Sequence, residues 1–166
     1  SIGFFNNPKI EIVAILFNIL GSIPFISYIK YLSGNKKIFI RDSQITTFIK
    51  LVFISVLILF IYLLFKNGNF SFSNIRSIIF NVVSILTGTG YVTKEFDQWG
   101  SFPLFYFLIL MFIGGCAGST ACGIKIFRVQ ILFRFIINQL KKIIYPRGVF
   151  IIKYENNNVD DKFLAS

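Results

Sequence analysis

The sequence predicts an all-α membrane protein in which a short helix, a Gly/Thr loop and a broken helix follow one another. Three observations predict it. The chain of 166 residues is 55% hydrophobic and holds 22 Phe, with a mean hydropathy of +0.72. That is a larger apolar excess than soluble domains carry. Several apolar runs approach or exceed the length of about 18 residues that marks a membrane span. The Lys and Arg behind the net charge of +10 lie between those runs. Membrane topology explains that placement, whereas nucleic-acid binding would need a basic motif that is not there. Lipid is therefore the expected surrounding, and nucleic acid is not an expected partner.

The elements follow in chain order. Residues 1–7 form a short polar start that opens on Ser1 rather than Met, which suggests a segment of a longer protein. Pro8 suits the first turn of a helix, where its missing donor costs little. Lys9 and Glu11 are placed at the membrane edge. Residues 12–28 make a candidate span, kinked or locally opened at Pro24 by the loss of a backbone donor. Lys30, Lys36, Lys37, Arg41 and Lys50 then stand against Asp42 alone. A short loop so rich in base belongs on the cytoplasmic side. Ser33, Gly34 and Asn35 mark a turn within it. Residues 46–65 make the second span.

Residues 66–74 then lie outside, where Ser73 or Asn74 can cap the next helix. That helix, residues 77–86, is too short to cross a bilayer, which needs about 20 residues. It runs into Thr87, Gly88, Thr89, Gly90 and Tyr91, and a return strand is expected beyond. Non-helical backbone at membrane depth survives only where protein or a water-filled path covers it. The pattern is that of a re-entrant pore loop. The helix C-terminus carries partial negative charge and points at the loop. Gly88 and Gly90 permit backbone angles that turn carbonyls inward. The candidate cation ligands are the backbone oxygens of Thr87, Gly88, Thr89 and Gly90, with Thr hydroxyls as possible additions and Tyr91 bracing the loop by packing.

Lys94, Glu95 and Asp97 follow as a solvated vestibule, and Trp99 fits an interfacial anchor. Pro103 suits the start of the third span, residues 102–113. Residues 114–123 then hold Gly114, Gly115, Gly118, Gly123, Cys116, Cys122, Ser119 and Thr120. Each Gly costs about 1 kcal/mol relative to Ala in a helix, so the span breaks here. The two Cys lack metal-ligand spacing and fit small packing residues. Lys125 and Arg128 close the loop on the cytoplasmic side, either fixing it electrostatically or reaching toward headgroups. Residues 127–144 fit a helix leaving the membrane. In the tail, Pro146 ends that helix, residues 149–154 suit a strand, the NNN run a turn, and Asp160 and Asp161 a helix cap.

ILTGTGYVT followed by IGGCAGSTACGIKIFR closely resembles the third repeat of TrkH-type potassium uptake proteins, within the Trk/Ktr/HKT superfamily. PRGVFIIKYENNNVDDKFLAS resembles the link from that repeat to the next. The resemblance implies that residues 1–30 are the last helix of the preceding repeat and 31–45 a cytoplasmic loop. Residues 46–140 are the helix–pore loop–broken helix repeat of a potassium-channel-like transporter. Residues 141–166 lead to a next repeat that is absent from this chain.

The implied function is uptake of K⁺, the transported ion, with no covalently bound cofactor. The filter lies at Thr87, Gly88, Thr89, Gly90 and Tyr91. The gating loop beneath it is Gly114, Gly115, Gly118, Ser119, Thr120, Gly123 and Lys125. Implied partners are the remaining repeats, a second copy of the full protein, and a cytoplasmic nucleotide-binding regulatory subunit. The implied location is the bacterial inner membrane. Three departures bear on the site. Gly88 stands where the family usually has Thr, which puts the strength of selectivity in question. Ala121 and Cys122 stand where it usually has Gly, and their added Cβ atoms should stiffen the gating loop. One repeat cannot enclose a filter, so the alternatives are a non-transporting fragment or a cation channel assembled from several copies. No His, paired carboxylates or nucleophile constellation argues for an enzyme.

Overall fold

A computed structural model describes residues 2–5, 7–67, 72–94, 96–144, 152–154 and 157–159. Seven helices carry the architecture: α1 (Pro8–Gly21), α2 (Phe25–Leu32), α3 (Ile38–Arg41), α4 (Ser43–Asn67), α5 (Phe72–Thr87), α6 (Ser101–Phe112) and α7 (Ile126–Ile144). The chain divides into two compact units, Ser1–Ile126 and Phe127–Ser166.

In the first unit, the Asn7 side chain accepts from the Lys9 amide at 3.0 Å and Pro8 occupies the opening turn of α1. The interruption at Pro24 is more than a kink, because α1 and α2 meet at 88° across residues 22–24. Pro24 cannot donate, and the amides of Ser22 and Ile23 turn back to Ile19 and Leu20 at 3.1 and 3.2 Å, ending α1. Gly34 forms the expected turn at a φ of 99°. Asp42 then starts α4 by accepting from the Gln44 amide at 2.9 Å.

Helix α4 is long and apolar enough to cross a membrane over Ser43–Lys66, and the bent pair α1 and α2 passes the same test when taken together. Helix α5, at roughly 24 Å by its rise per residue, is not. It begins earlier than the sequence suggested, so Ser73 and Asn74 lie inside it rather than capping it. Asn74 instead accepts from Lys94 Nζ at 3.0 Å.

Helix α5 is the centre of this unit and packs on α1, α4 and α6. Ile78, Phe80, Val82, Val83 and Leu86 are each at most 1% exposed. A helix apolar on nearly every side belongs inside. Phe48 and Leu59 from α4 and Phe107 and Leu110 from α6 complete the core. Glu11, in the first turn of α1, is buried and pairs with Arg76 of α5. Arg76 sits near the N-terminus of α5, where a cation meets the positive end of the dipole. Glu11 offsets that.

In the second unit, α7 is followed by a two-stranded antiparallel hairpin, β1 (Ile152–Tyr154) and β2 (Asn157–Val159), with Lys153 opposite Asn158. Asn157 and Asn158 therefore belong to a strand rather than to the expected turn. Glu95, Pro146, Asp160 and Asp161 lie outside the described residues.

Candidate functional site

The site is built on a polar stripe of α5. Ser77, Asn81, Ser84 and Gly88 recur at i, i+4, i+7 and i+11, one face of a helix. Ser77, Asn81 and Ser84 are at most 2% exposed. Ser84 holds the near limb of the Gly/Thr loop. Its carbonyl accepts from the amides of Thr89 at 3.0 Å and Gly90 at 3.3 Å, so the chain wraps back over the helix end. The hydroxyls of Thr87 and Thr89 also reach that carbonyl, at 3.3 and 3.2 Å, and lie 3.2 Å from each other. These contacts fix both hydroxyls against the helix end.

Asn81 holds the far limb. Its Oδ1 accepts from the Thr93 amide at 3.3 Å, and its Nδ2 donates to the Lys94 carbonyl at 3.1 Å. Between these clamps, Gly88, Thr89 and Gly90 are exposed, while Thr87 is 4% exposed. Gly88 and Gly90 adopt φ values of 74° and 69°, angles strained for residues with a Cβ. Tyr91 is 53% exposed, so within this chain the bracing comes from Ser84 and Asn81 rather than from Tyr91. The return strand expected after the loop does not form: residues 88–92 are irregular and make no ladder with another described strand. The amide of Gly3 reaches the Val92 carbonyl at 3.3 Å.

Residues 113–125 interrupt α6 and α7, as the density of Gly predicts. Ile113 and Ile124 form an isolated parallel bridge, with Gly114 N–H donating to Ile124 O and Ile124 N–H to Phe112 O, both at 2.9 Å. Gly114 is required there, because a Cβ would overlap the Cys122 carbonyl oxygen. The loop docks into the break between α1 and α2. The amides of Cys116 and Thr120 donate to Ser22 O and Gly21 O, each at 3.1 Å, and Phe25 N–H donates to Gly118 O at 3.1 Å. Gln44 Oε1 accepts from the Ala117 amide at 2.9 Å. The Lys125 ammonium folds back onto the loop, donating to the Ala121 carbonyl and reaching the Ser119 carbonyl at 3.5 Å. Of its two alternatives, Lys125 takes the one that holds the loop. Cys122 touches the Gly/Thr loop itself, its amide donating to Thr87 O at 3.3 Å.

Sequence reasoning singled out both loops but missed what fastens them: Asn81, Ser84, Gly21, Ser22 and Gln44. For the first two the signal was the polar stripe on an otherwise apolar helix.

A half-length helix, a backbone loop with exposed glycines and a Gly-rich break that touches that loop through Cys122 have the form of a pore-loop repeat of an all-α membrane transporter. The chain belongs to the TrkH family of cation transport proteins, which it matches over residues 1–166. It is 35% identical over 154 residues to the Trk system potassium uptake protein TrkI of Halomonas elongata, covering 93% of this chain and 31% of that protein. It is 33% identical over 171 residues to TrkH of Escherichia coli K12, covering 100% of this chain and 35% of that protein. The crystal structure of the potassium transporter TrkH from Vibrio parahaemolyticus superposes with a TM-score of 0.89 at 29% identity. That match covers 96% of this chain and 35% of that one. The chain thus spans about a third of the length of these relatives.

Proposed function

We propose that this chain supplies one wall of a K⁺ conduction path in a membrane uptake protein. The observation that carries the reading is the pairing of the exposed Gly88–Thr89–Gly90 backbone with the end of α5. The carbonyls of Thr87, Gly88, Thr89 and Gly90 replace part of the hydration shell of K⁺, as backbone rings do in potassium filters. The C-terminal end of α5 adds a field favourable to a cation. No covalent chemistry is involved: the work is desolvation, coordination and release. Residues 114–125 form the gate, closed here against the foot of the loop.

Further repeats of the same protein supply the other walls. The whole protein pairs with a second copy and answers to a cytoplasmic nucleotide-binding subunit. It lies in the bacterial inner membrane with residues 30–50 and the tail facing the cytoplasm. The family match, the relatives' names and the basic loops support this arrangement.

The test is rubidium uptake by the full-length protein in proteoliposomes, with and without Gly90→Ser. Loss of selective flux in the variant is the expected result, because a Cβ at a φ of 69° distorts the loop. Normal selective uptake by Gly90→Ser refutes the filter. Selective flux from this chain alone would favour a channel of several copies instead.

A further inference from the structure

We infer that Cys122 latches the gating loop to the foot of the filter, and that this latch and an ion at the innermost carbonyl disfavour each other. The inference rests on the filter reading above and adds how filter and gate communicate.

Among the four candidate carbonyls, Thr87 O accepts a hydrogen bond from the gating loop, the Cys122 amide at 3.3 Å. Thr87 is accordingly 4% exposed, whereas the next three residues are open. A cation coordinated by Thr87 O would stand beside the positive end of that N–H dipole, and Cys122 would crowd its approach. The oxygen has lone pairs for both, so the competition is electrostatic and steric: the ion is disfavoured beside the N–H dipole, and the loop is disfavoured beside the ion.

The packing is matched to the hydrogen bond. A Cβ built on Gly88 would lie 2.7 Å from Cys122 Cβ and 3.4 Å from its amide nitrogen. Real Cβ atoms do not approach so closely, so side chains cannot stand at both positions without displacing the loop. Gly88 and Cys122 are two of the three departures noted in the sequence, and they face each other.

The rest of the loop is fastened independently of this contact. The Ile113–Ile124 bridge, the Lys125 ammonium and the Gln44 amide group all hold it. The latch can therefore release Cys122 without unfolding its support.

The test is the rate at which a cationic methanethiosulfonate reagent modifies Cys122 in the full-length protein in proteoliposomes. Cys116, buried in the core, serves as the unreactive reference. Replacing N-methylglucamine by saturating K⁺ should speed modification about two- to tenfold, the factor that one net backbone hydrogen bond represents. Gly88→Ala should give the fast rate without K⁺, because its Cβ displaces the loop. A K⁺-independent rate in protein that still shows selective flux overturns the latch and leaves the filter standing. Non-selective flux from unmodified protein, unaffected by Gly90→Ser, identifies the filter reading as the one that failed.

Discussion

Replacing Asn81 by Leu should damage ion selectivity while leaving α5 in place. Leu has the same side-chain branching as Asn with somewhat greater bulk and suits an apolar helix, so the change removes hydrogen bonds without opening a cavity. Two bonds to backbone are lost, at 3.1 Å to the Lys94 carbonyl and 3.3 Å from the Thr93 amide, together with a long contact of 3.5 Å from the Thr93 hydroxyl. Each of the two backbone bonds is worth about 1 kcal/mol net. Lys94 is exposed and Thr93 half-buried in this chain, so water can satisfy part of what is freed. The total is therefore about 2 kcal/mol, or roughly 30-fold in the population of the ordered loop. Competition of Na⁺ against rubidium uptake in the full-length protein reads that disorder directly. The expected outcome is stronger Na⁺ competition with little change in the amount of folded protein. Asn81→Ala provides the control, since it loses the same bonds and adds a cavity. Wild-type selectivity in Asn81→Leu, with loss only in Asn81→Ala, would mean that α5 packing and not the side-chain amide holds the loop.

Three further outcomes follow from other contacts. Arg76→Leu should lower stability in detergent by about 3–5 kcal/mol, because it leaves the buried Glu11 charge unpaired, and Glu11→Leu should cost less, because Arg76 is only partly buried. The double Leu variant should melt close to wild type, and equal melting of all three variants would deny the pair any structural role. Gly114→Ala places a Cβ on the Cys122 carbonyl, so it should displace the gating loop and raise basal rubidium leak; unchanged leak would show that the loop seals the path in another position. Reporter fusions after Arg41 should be active only in the cytoplasm, and an externally active fusion would invert the orientation.

Local features were legible in the sequence, and long-range ones were not. Asn7 and Pro8 start a helix through contacts two residues apart, and Gly34 closes a turn through its own φ, so both followed from residue type. The break at residues 114–125 was legible for the same reason, since a density of Gly acts on its own backbone. The docking of that loop against Gly21 and Ser22 was not. It joins elements far apart in the chain through backbone carbonyls, and every residue type owns one. The pairing of Glu11 was not legible either. Its partner Arg76 lies on another helix, and no local pattern couples them. Ser73 and Asn74 were plausible caps, but α5 extends through them because Ile75, Arg76 and Ser77 continue it at no large cost in propensity.

The polar contacts also explain how apolar helices find one register. In lipid, burying Leu against Leu gains little, because the tails are as apolar as the side chains. The outward faces of α1, α4 and α6 are rich in such residues, with Phe17, Phe53 and Phe105 between 66% and 69% exposed. Those faces accept any apolar neighbour and define no position along the helix axis. A polar contact does define one. Glu11 with Arg76 sets α1 against α5, Tyr106 with Ser55 at 3.0 Å sets α6 against α4, and Gln44 with the Ala117 amide sets the gating loop against α4. Each would strand a polar group in an apolar setting if its helix slid by one turn, and a slide that keeps one satisfied breaks another. The proposed filter would need its backbone oxygens held in fixed positions. Dispersed apolar packing supplies density, and these sparse polar contacts supply the register that puts Thr87 and Cys122 at the same depth.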